Sequence, residues 1–356
     1  MRILLSGICG FVGSSVAHGL LEHDSGLELI GLDNLSRAGS HLNIEPLRQR
    51  GVKLTHADLR SASDLESIGQ VDWIIDAAAN PSVLAGIDGT TSSRQVIEHN
   101  LYGTVNLLEL AKRLRAGFIL LSTSRVYSIR SLANIPVTVM NDGFEPDCSS
   151  MLPQGVSSYG IAEEFATTPP LSLYGSSKLA SECVALEYGE AFEFPVWINR
   201  CGVLAGAGQF GRADQGIFSF WINAYLRRAP LRYIGFDGAG HQTRDCLHPR
   251  DLLPALQKQL GAIEKGNRRI MNFGGGTENS MSLAQLSRWC AERFGHHQVA
   301  SDPEPRPFDV PWLVMDSRLA KETWGWRPTL SLEAILEEIA EHAEAHPRWL
   351  ETSAVL

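Results

Sequence analysis

Apolar residues in the first half of the chain come in short runs separated by amphipathic stretches. Ile3-Leu4-Leu5, Leu27–Leu32, Val52–His56, Trp73-Ile74-Ile75-Asp76 and Phe118-Ile119-Leu120-Leu121 each have the length and apolar density of a buried strand. Between them Phe11–Glu22 reads as a helix, and Val96, Leu101, Val105, Leu108 and Ala111 recur near helical spacing within Arg94–Arg115. A helix around Tyr174 and a strand at Val196-Trp197-Ile198-Asn199 continue the alternation. Strands separated by helices predict an α/β fold whose parallel sheet is covered on both faces, doubly wound.

Two stretches break this rhythm. Residues 128–170 are rich in Pro, Ser, Gly and Asp and too long for a plain connector, so they form either an ordered lid or a partly disordered insertion. Beyond about Gly202 the pattern loosens, with helices at Leu283–Phe294 and Leu332–His342. The predicted organisation is a nucleotide-binding domain over 1–200, carrying the 128–170 insertion, and a smaller α/β substrate lobe over 201–356 that can return segments to the first domain.

The 356 residues carry a net charge of −9 with no basic block, which gives no reason to expect a nucleic-acid partner. No apolar run approaches the ~20 residues needed to span a bilayer, so no membrane partner is expected. Met1-Arg2-Ile3-Leu4-Leu5-Ser6 enters a strand directly, and no signal peptide is expected. Six dispersed cysteines lack CxxC or metal-ligand spacing; no metal is expected, and a reducing cytoplasm fits them best.

Candidate chemistry starts at Gly7-Ile8-Cys9-Gly10-Phe11-Val12-Gly13, a G-x-x-G-x-x-G turn between the first strand and the first helix. Such glycines permit a tight turn and close approach of a pyrophosphate to the helix N-terminus. Asp33 follows the second strand, where a carboxylate accepts from the adenosine ribose hydroxyls and repels a 2′-phosphate. That favours NAD over NADP, with Arg37 keeping the second choice open, and makes the first domain Rossmann-type. Asp58, in His56-Ala57-Asp58-Leu59, meets the adenine edge or caps a helix. Ala77-Ala78-Ala79 either let a flat cofactor pass close to backbone or simply pack tightly. Asn100 is a polar residue on an otherwise apolar stretch and reads as structural support.

Tyr174 and Lys178 lie four residues apart, so on one helix they share a face. The ammonium then holds the phenol's charged form at lower pH and turns it into a usable base. Alone, the pair reads as a surface Tyr/Lys; the glycine turn upstream and the Ser122-Thr123-Ser124 cluster at a strand end give it a purpose.

These residues together resemble the extended short-chain dehydrogenase/reductase family, in particular its nucleotide-sugar epimerases and dehydratases. The resemblance is carried by Gly7-x-x-Gly10-x-x-Gly13, Asp33-Asn34-Leu35-Ser36-Arg37, Asn100-Leu101-Tyr102-Gly103-Thr104, Tyr174-x-x-x-Lys178 and Trp324-Gly325-Trp326-Arg327-Pro328. It implies that Tyr174 is the base, that Lys178 lowers its pKa and binds the nicotinamide ribose, and that Thr123 hydrogen-bonds the reacting oxygen. It extends the cofactor contacts to Cys9, Phe11, Val12, Asn34, Ser36, Leu59 and Asn100. A homodimer or homotetramer, built through the Arg94–Arg115 and Tyr174–Phe192 helices, is also implied.

In the family's 4,6-dehydratases the positions after the threonine hold an acid and a base that expel water. Here they hold Ser124 and Arg125, a poor acid and a fixed cation. Epimerisation through a transient keto sugar is therefore preferred to dehydration. The group of CDP-tyvelose (CDP-paratose) 2-epimerases is similar at Asp33–Arg37, Arg125, Gln209-Phe210, Asp214-Gln215-Gly216 and Arg244-Asp245-Cys246-Leu247-His248. The chain departs from it at Val203, where the family often has Asn three residues after the equivalent of Arg200. On this resemblance Ser124, Arg125, Arg200, Gln209, Arg244, Arg306 and Asp309 contact a nucleotide-diphosphate sugar. Guanidinium forks at Arg244 and Arg306 suit its phosphates, structural ion pairing of Arg244 with Asp251 being the alternative. A dehydratase, a decarboxylase, a net dehydrogenase and a non-catalytic NAD-binding regulator are the competing readings.

Overall fold

The computed structural model describes residues 1–89, 91–262 and 269–354. The chain divides into two units: 1–126 with 173–200 and 249–271, and 127–172 with 201–248 and 272–354 of the described chain. One boundary falls after Arg200, and the chain also crosses between the units after residues 126, 172, 248 and 271: the 128–170 insertion clusters with the second unit, and 249–271 returns to the first.

The first unit is organised by β1 (Arg2–Ser6), β2 (Glu28–Asp33), β3 (Lys53–His56), β4 (Trp73–Asp76), β5 (Gly117–Thr123), β6 (Val196–Cys201) and β7 (Ile270–Phe273). They form one seven-stranded sheet in the order β7-β6-β5-β4-β1-β2-β3. β1 pairs in parallel with β2 and β4, β2 with β3, and β4 with β5. The chain reverses direction across the sheet after β3, so β1 and β4 flank the switch point, where strand C-termini open a crevice for a ligand. Every residue of β5 and of β6 is buried, which explains runs too uniformly apolar to alternate.

Helix α1 (Phe11–His23) follows the glycine turn, α2 (Gly103–Leu114) precedes β5, α3 (Ser172–Ala191) precedes β6 and α4 (Leu253–Gly261) precedes β7. Leu107, Leu108 and Ala111 of α2 bury against Ile74, Phe118 and Leu120 of the sheet, the apolar face that the spacing predicted. The one difference is at its start. The Arg94–Arg115 helix runs without a break from Ser93 to Leu114, but its start, Ser93–Ile97, passes through a π-helical turn, Glu98–Tyr102, before α2. Apolar spacing alone does not register that single wider turn.

The second unit has a four-stranded sheet from Val203–Leu204, Thr243–Leu247, Ser280–Ser282 and Trp312–Leu313. Helices Ile217–Leu226, Leu283–Phe294 and Leu332–Ala345 bury Trp221, Ile222, Leu286, Ile335 and Ile339 in a common core. The insertion carries elements of its own, including a hairpin of Val137–Met140 with Gly143–Pro146. Its two-residue Asn141-Asp142 loop has positive φ at both positions, 48° and 64°, the twist that a tight hairpin requires. Among the described residues no helix is long and apolar enough to cross a membrane, and no His/Cys/Asp/Glu cluster is arranged to hold a metal ion.

Candidate active site

The glycine turn is dictated by contact distances. A Cβ on Gly13 would lie 2.2 Å from the Gly7 carbonyl oxygen, and one on Gly7, whose φ is +62°, would lie 2.8 Å from Ala78 Cα. The turn therefore closes only without side chains at these positions. Gly10 is the N-cap of α1 and places no side-chain acceptor on the helix's first N–H groups, which suits them to an anionic ligand. Cys9, Phe11 and Val12 lie between these glycines, Phe11 and Val12 half-buried in the first turn of α1. Cys9 is buried, and burial followed by the nearby Asp33 charge pushes its thiol pKa up to about 12, so it is an inert neighbour rather than a nucleophile.

Asp33 at the end of β2 is braced by backbone: Cys9 N–H donates to its Oδ2 at 2.9 Å and Leu35 N–H to its Oδ1 at 2.8 Å. Burial raises its pKa, opposed by those hydrogen bonds. Asn34 accepts from the Ser36 N–H at 3.1 Å and approaches Asp58 Oδ2 at 3.4 Å, while Ser36 is exposed and Arg37 half-buried. Asp58 does not cap the following turn; Ser61 is the N-cap there. Instead its carboxylate takes Arg60 Nε at 3.0 Å and Nη2 at 2.6 Å, and that guanidinium holds its pKa well below the usual carboxylate range. Asp58, Arg60, Arg94, Ile97, Glu98 and Tyr102 line a cavity of about 840 Å³ on this side of the unit. Leu59 presents its carbonyl to Asn106 Nδ2 at 2.7 Å.

At the β1/β4 switch point a buried polar network sets the backbone. Ser6 Oγ donates to Asp76 Oδ1 at 2.7 Å and accepts from the Ala77 and Ala78 N–H groups at 3.1 and 3.2 Å. Thr104 Oγ1 approaches both Asp76 Oδ2 (2.7 Å) and the Asn100 carbonyl (2.8 Å). Asn100, inside the π-helical turn, accepts from Asn80 N–H at 2.7 Å and donates to the Asn80 carbonyl at 3.2 Å. Its Nδ2 also reaches Ser177 Oγ at 3.0 Å. Asn100 is thus the structural support that the sequence suggested, tying the 77–80 strand exit to α3; Ala79 lies within the same segment.

α3 carries Tyr174 and Lys178 one turn apart. Both are buried, Lys178 to 1% exposure and Tyr174 to 7%, so neither is a surface residue. Thr123 ends β5, is buried, and accepts from the Arg125 N–H at 3.1 Å. Ser124 is buried and Arg125 half-buried in the turn that follows. The first unit therefore holds the glycine turn, Asp33, Thr123, Tyr174 and Lys178 on one sheet and the helices that flank it.

The substrate-side residues sort differently. Arg200, at the end of β6, is interior: its Nε and Nη2 engage Glu182 of α3 at 3.1 and 2.7 Å. Gln209 is buried in the second unit, where Nε2 donates to the Leu204 carbonyl at 2.7 Å and its own backbone carbonyl accepts from Trp349 Nε1. These bonds tie both residues to the fold, while Gln209 Oε1 is buried without a hydrogen-bond partner among the described residues. Arg244 pairs with Asp309 at 2.9 Å, not with Asp251, and also donates to the Val310 carbonyl at 2.8 Å. Burial lowers the Arg244 pKa, Asp309 opposes this, and the neighbouring Arg306 charge adds to the lowering. A buried cation with a second cation close by fits a multiply charged anion. Arg306 itself is half-buried.

Asp76, Glu182 and Asp245 are buried carboxylates that were not singled out in the sequence. Asp245 Oδ2 accepts from the Gly275 N–H at 2.9 Å, while Oδ1 has no hydrogen-bond partner among the described residues. Burial pushes its pKa up to about 7. The only sequence signal is its place between Arg244 and Cys246.

A parallel sheet with a glycine cradle at its switch point and a buried Tyr/Lys pair defines an NAD-binding α/β enzyme. The chain belongs to the NAD dependent epimerase/dehydratase family, whose model matches residues 3–274. It is similar to CDP-paratose 2-epimerase of Salmonella typhi, 26% identical over 343 residues that cover 93% of this chain and 96% of that one. It is equally similar to dTDP-glucose 4,6-dehydratase of Streptomyces niveus, 26% identical over 360 residues, with 99% of this chain and 95% of that one covered. The fold matches UDP-glucose 4-epimerase of Thermus thermophilus, solved with NAD, at TM-score 0.76 and 25% identity, covering 97% and 99% of the two chains. NAD is the cofactor. The residues present fit it: a cradle that any Cβ would fill, an N-terminus of α1 open to a pyrophosphate, and the Asp33 carboxylate at the end of β2.

Proposed function

We propose that this chain is an NAD-dependent nucleotide-sugar epimerase working through a transient keto sugar, similar in chemistry to the CDP-tyvelose (CDP-paratose) 2-epimerases. The observation that carries the reading is Ser124-Arg125, immediately after Thr123, where the related dehydratases carry an acid and a base. Arginine stays protonated and serine is a poor acid, so neither assists the expulsion of water at neutral pH. The similarity to CDP-paratose 2-epimerase agrees with this choice, but the same identity to a 4,6-dehydratase leaves Ser124-Arg125 to carry it.

Bound NAD supplies a reversible hydride acceptor. The chain's own residues handle the proton. Tyr174 takes it from the sugar hydroxyl, Lys178 stabilises the phenolate that Tyr174 must first become, and Thr123 hydrogen-bonds the reacting oxygen. The keto sugar then either reorients, or loses the proton of the neighbouring, now acidified C–H and regains one on the opposite face; return of the hydride and of the proton held by Tyr174 restores the hydroxyl, with one carbon inverted. Arg244, with Arg306, neutralises the diphosphate, and Asp309 contacts the nucleoside ribose. A homodimer through the α2 and α3 helices and a cytoplasmic location belong to the same reading; all six cysteines are free thiols, in keeping with a reducing compartment.

The test is incubation with a panel of CDP-, UDP- and GDP-sugars, read by mass and NMR. Product of unchanged mass and altered stereochemistry is expected. Loss of one water in mass identifies a dehydratase, loss of CO₂ a decarboxylase, and accumulation of NADH a net dehydrogenase, and each overturns the proposal. Tyr174→Phe is expected to retain NAD and lose turnover.

A further inference from the structure

Behind the Tyr/Lys pair lies a second buried constellation that the roles assigned so far do not include. Tyr174, Lys178 and Glu182 follow one another at four-residue spacing on α3, so they share one face. Glu182 is 1% exposed, and its carboxylate is filled from two strands. From β5, the Ser122 hydroxyl donates to Oε1. From β6, Arg200 Nε lies 3.1 Å from both oxygens and Nη2 lies 2.7 Å from Oε2. Ser122 is the residue directly before Thr123.

We propose that Glu182, with Ser122 and Arg200, is a positioning device for proton transfer: it pins the end of β5, and hence Thr123, to the helix face that carries Tyr174 and Lys178. Its charge also cancels that of Arg200 behind that face and leaves Lys178 to set the electrostatics of Tyr174. The inference rests on the reading of Tyr174 and Lys178 as the proton-transfer pair.

Stability alone does not account for the trio. A fully buried ion pair forfeits the hydration of both ions, and two well-packed apolar residues commonly serve stability as well or better. What apolar residues do not supply is a three-point hydrogen-bonded register between β5, β6 and α3. A charge eight residues along α3 from Tyr174 is about 12 Å away along the axis. Unbalanced in a protein interior, it changes an ionisation constant by about tenfold. Other charged groups on the packed elements include Lys178 on α3, Asp76 at the end of β4, held by Ser6 and Thr104, and Arg125 beyond β5.

The test needs no substrate. The full-length, NAD-loaded protein is titrated through the ultraviolet tyrosinate band, and Tyr174 is isolated by subtracting the Tyr174→Phe partner of each variant. Glu182→Gln removes one negative charge behind the pair and is expected to raise the Tyr174 ionisation constant about tenfold; Arg200→Met removes one positive charge there and is expected to lower it about tenfold. Combining the two returns it to near the wild-type value. Single variants that leave the constant unchanged, or move it in the same direction, overturn the proposal. Lys178→Met separates the two ideas: if it does not lower the constant, the proton-transfer reading itself falls. Should either single variant not fold, the neutral pair Glu182→Met/Arg200→Met carries the test. It is expected to keep the ionisation constant while kcat on the substrate found in the panel falls about 10- to 100-fold at little-changed KM. Wild-type kcat in that folded variant overturns the proposal.

Discussion

Asn100 Nδ2 donates to Ser177 Oγ at 3.0 Å, and Ser177 lies between Tyr174 and Lys178 on α3. The same amide brackets Asn80 through both its N–H and its carbonyl, so one side chain registers the exit of β4 against the helix of the proton-transfer pair. Asn100→Ala leaves the Asn80 N–H and the Ser177 hydroxyl without this partner in a buried setting. A loss of about 2–4 kcal/mol in unfolding free energy is expected, with activity falling further than stability accounts for. Denaturant titration at constant slope checks the first part; a loss below about 0.5 kcal/mol contradicts the network's importance.

Gly13→Ala places a methyl 2.2 Å from the Gly7 carbonyl oxygen, and the obstacle is backbone that no rotamer change removes. The turn must open, moving the N-terminus of α1 away from where it meets a pyrophosphate. NAD affinity is expected to drop by at least about tenfold, because that approach is what the turn provides. Calorimetric titration with NAD of protein stripped of cofactor measures it; unchanged affinity removes the glycine turn from the cofactor site.

Asp245 gives a pH signature. Its folded pKa of about 7 lies above the ordinary 3.8, so the native state keeps a proton that the unfolded chain has already shed. This contribution to stability is complete at low pH and is lost as pH climbs from about 4 to about 7. Asp245→Asn keeps the shape without the titration. The variant is expected to gain on the wild type by a few kcal/mol between pH 5 and pH 8, an order-of-magnitude figure from the size of the shift. Parallel stability curves for the two proteins contradict it.

Asp309 occupies the guanidinium of Arg244 and is itself proposed as a ribose contact. The two roles predict different affinities. Asp309→Asn weakens the counter-charge at Arg244, so inorganic pyrophosphate is expected to bind several-fold tighter, whereas a nucleoside diphosphate loses its ribose contact and gains less or weakens. Titrations with pyrophosphate, CDP and UDP separate the contributions; weaker pyrophosphate binding contradicts the counter-ion role.

The strands and helices of the first unit were legible because their burial is written locally, in continuous apolar runs and in the 3.6-residue rhythm of Leu107, Leu108 and Ala111. The glycine turn was legible for the same reason: its constraint acts between residues six apart. What escaped the sequence is long-range. Ser122, Glu182 and Arg200 meet across 60 and 18 residues, and no local pattern announces the meeting. The bonds of Arg200 to Glu182 and of Gln209 Nε2 to the Leu204 carbonyl were equally hidden, because a polar side chain near a motif looks the same in sequence whatever it faces. The π-helical turn at Asn100 needs a hydrogen-bond shift that side-chain spacing does not encode. The hairpin of the insertion is a different case. Val137-Thr138-Val139-Met140 before Asn141-Asp142-Gly143 is a turn signal, obscured by the polar composition around it.

The division of the chain also governs its synthesis. The sequence passes from one unit to the other after residues 126, 172, 200, 248 and 271, so neither unit is contiguous. β7, the last strand of the nucleotide-binding sheet, is supplied by Ile270–Phe273, and β6 at its side by Val196–Cys201. A nascent chain therefore leaves the ribosome with most of its NAD cradle built and one sheet edge still open for the length of about 70 further residues, roughly 3–14 s at ordinary elongation rates. During that interval β6, buried along its whole length in the finished sheet, is an unpaired edge strand.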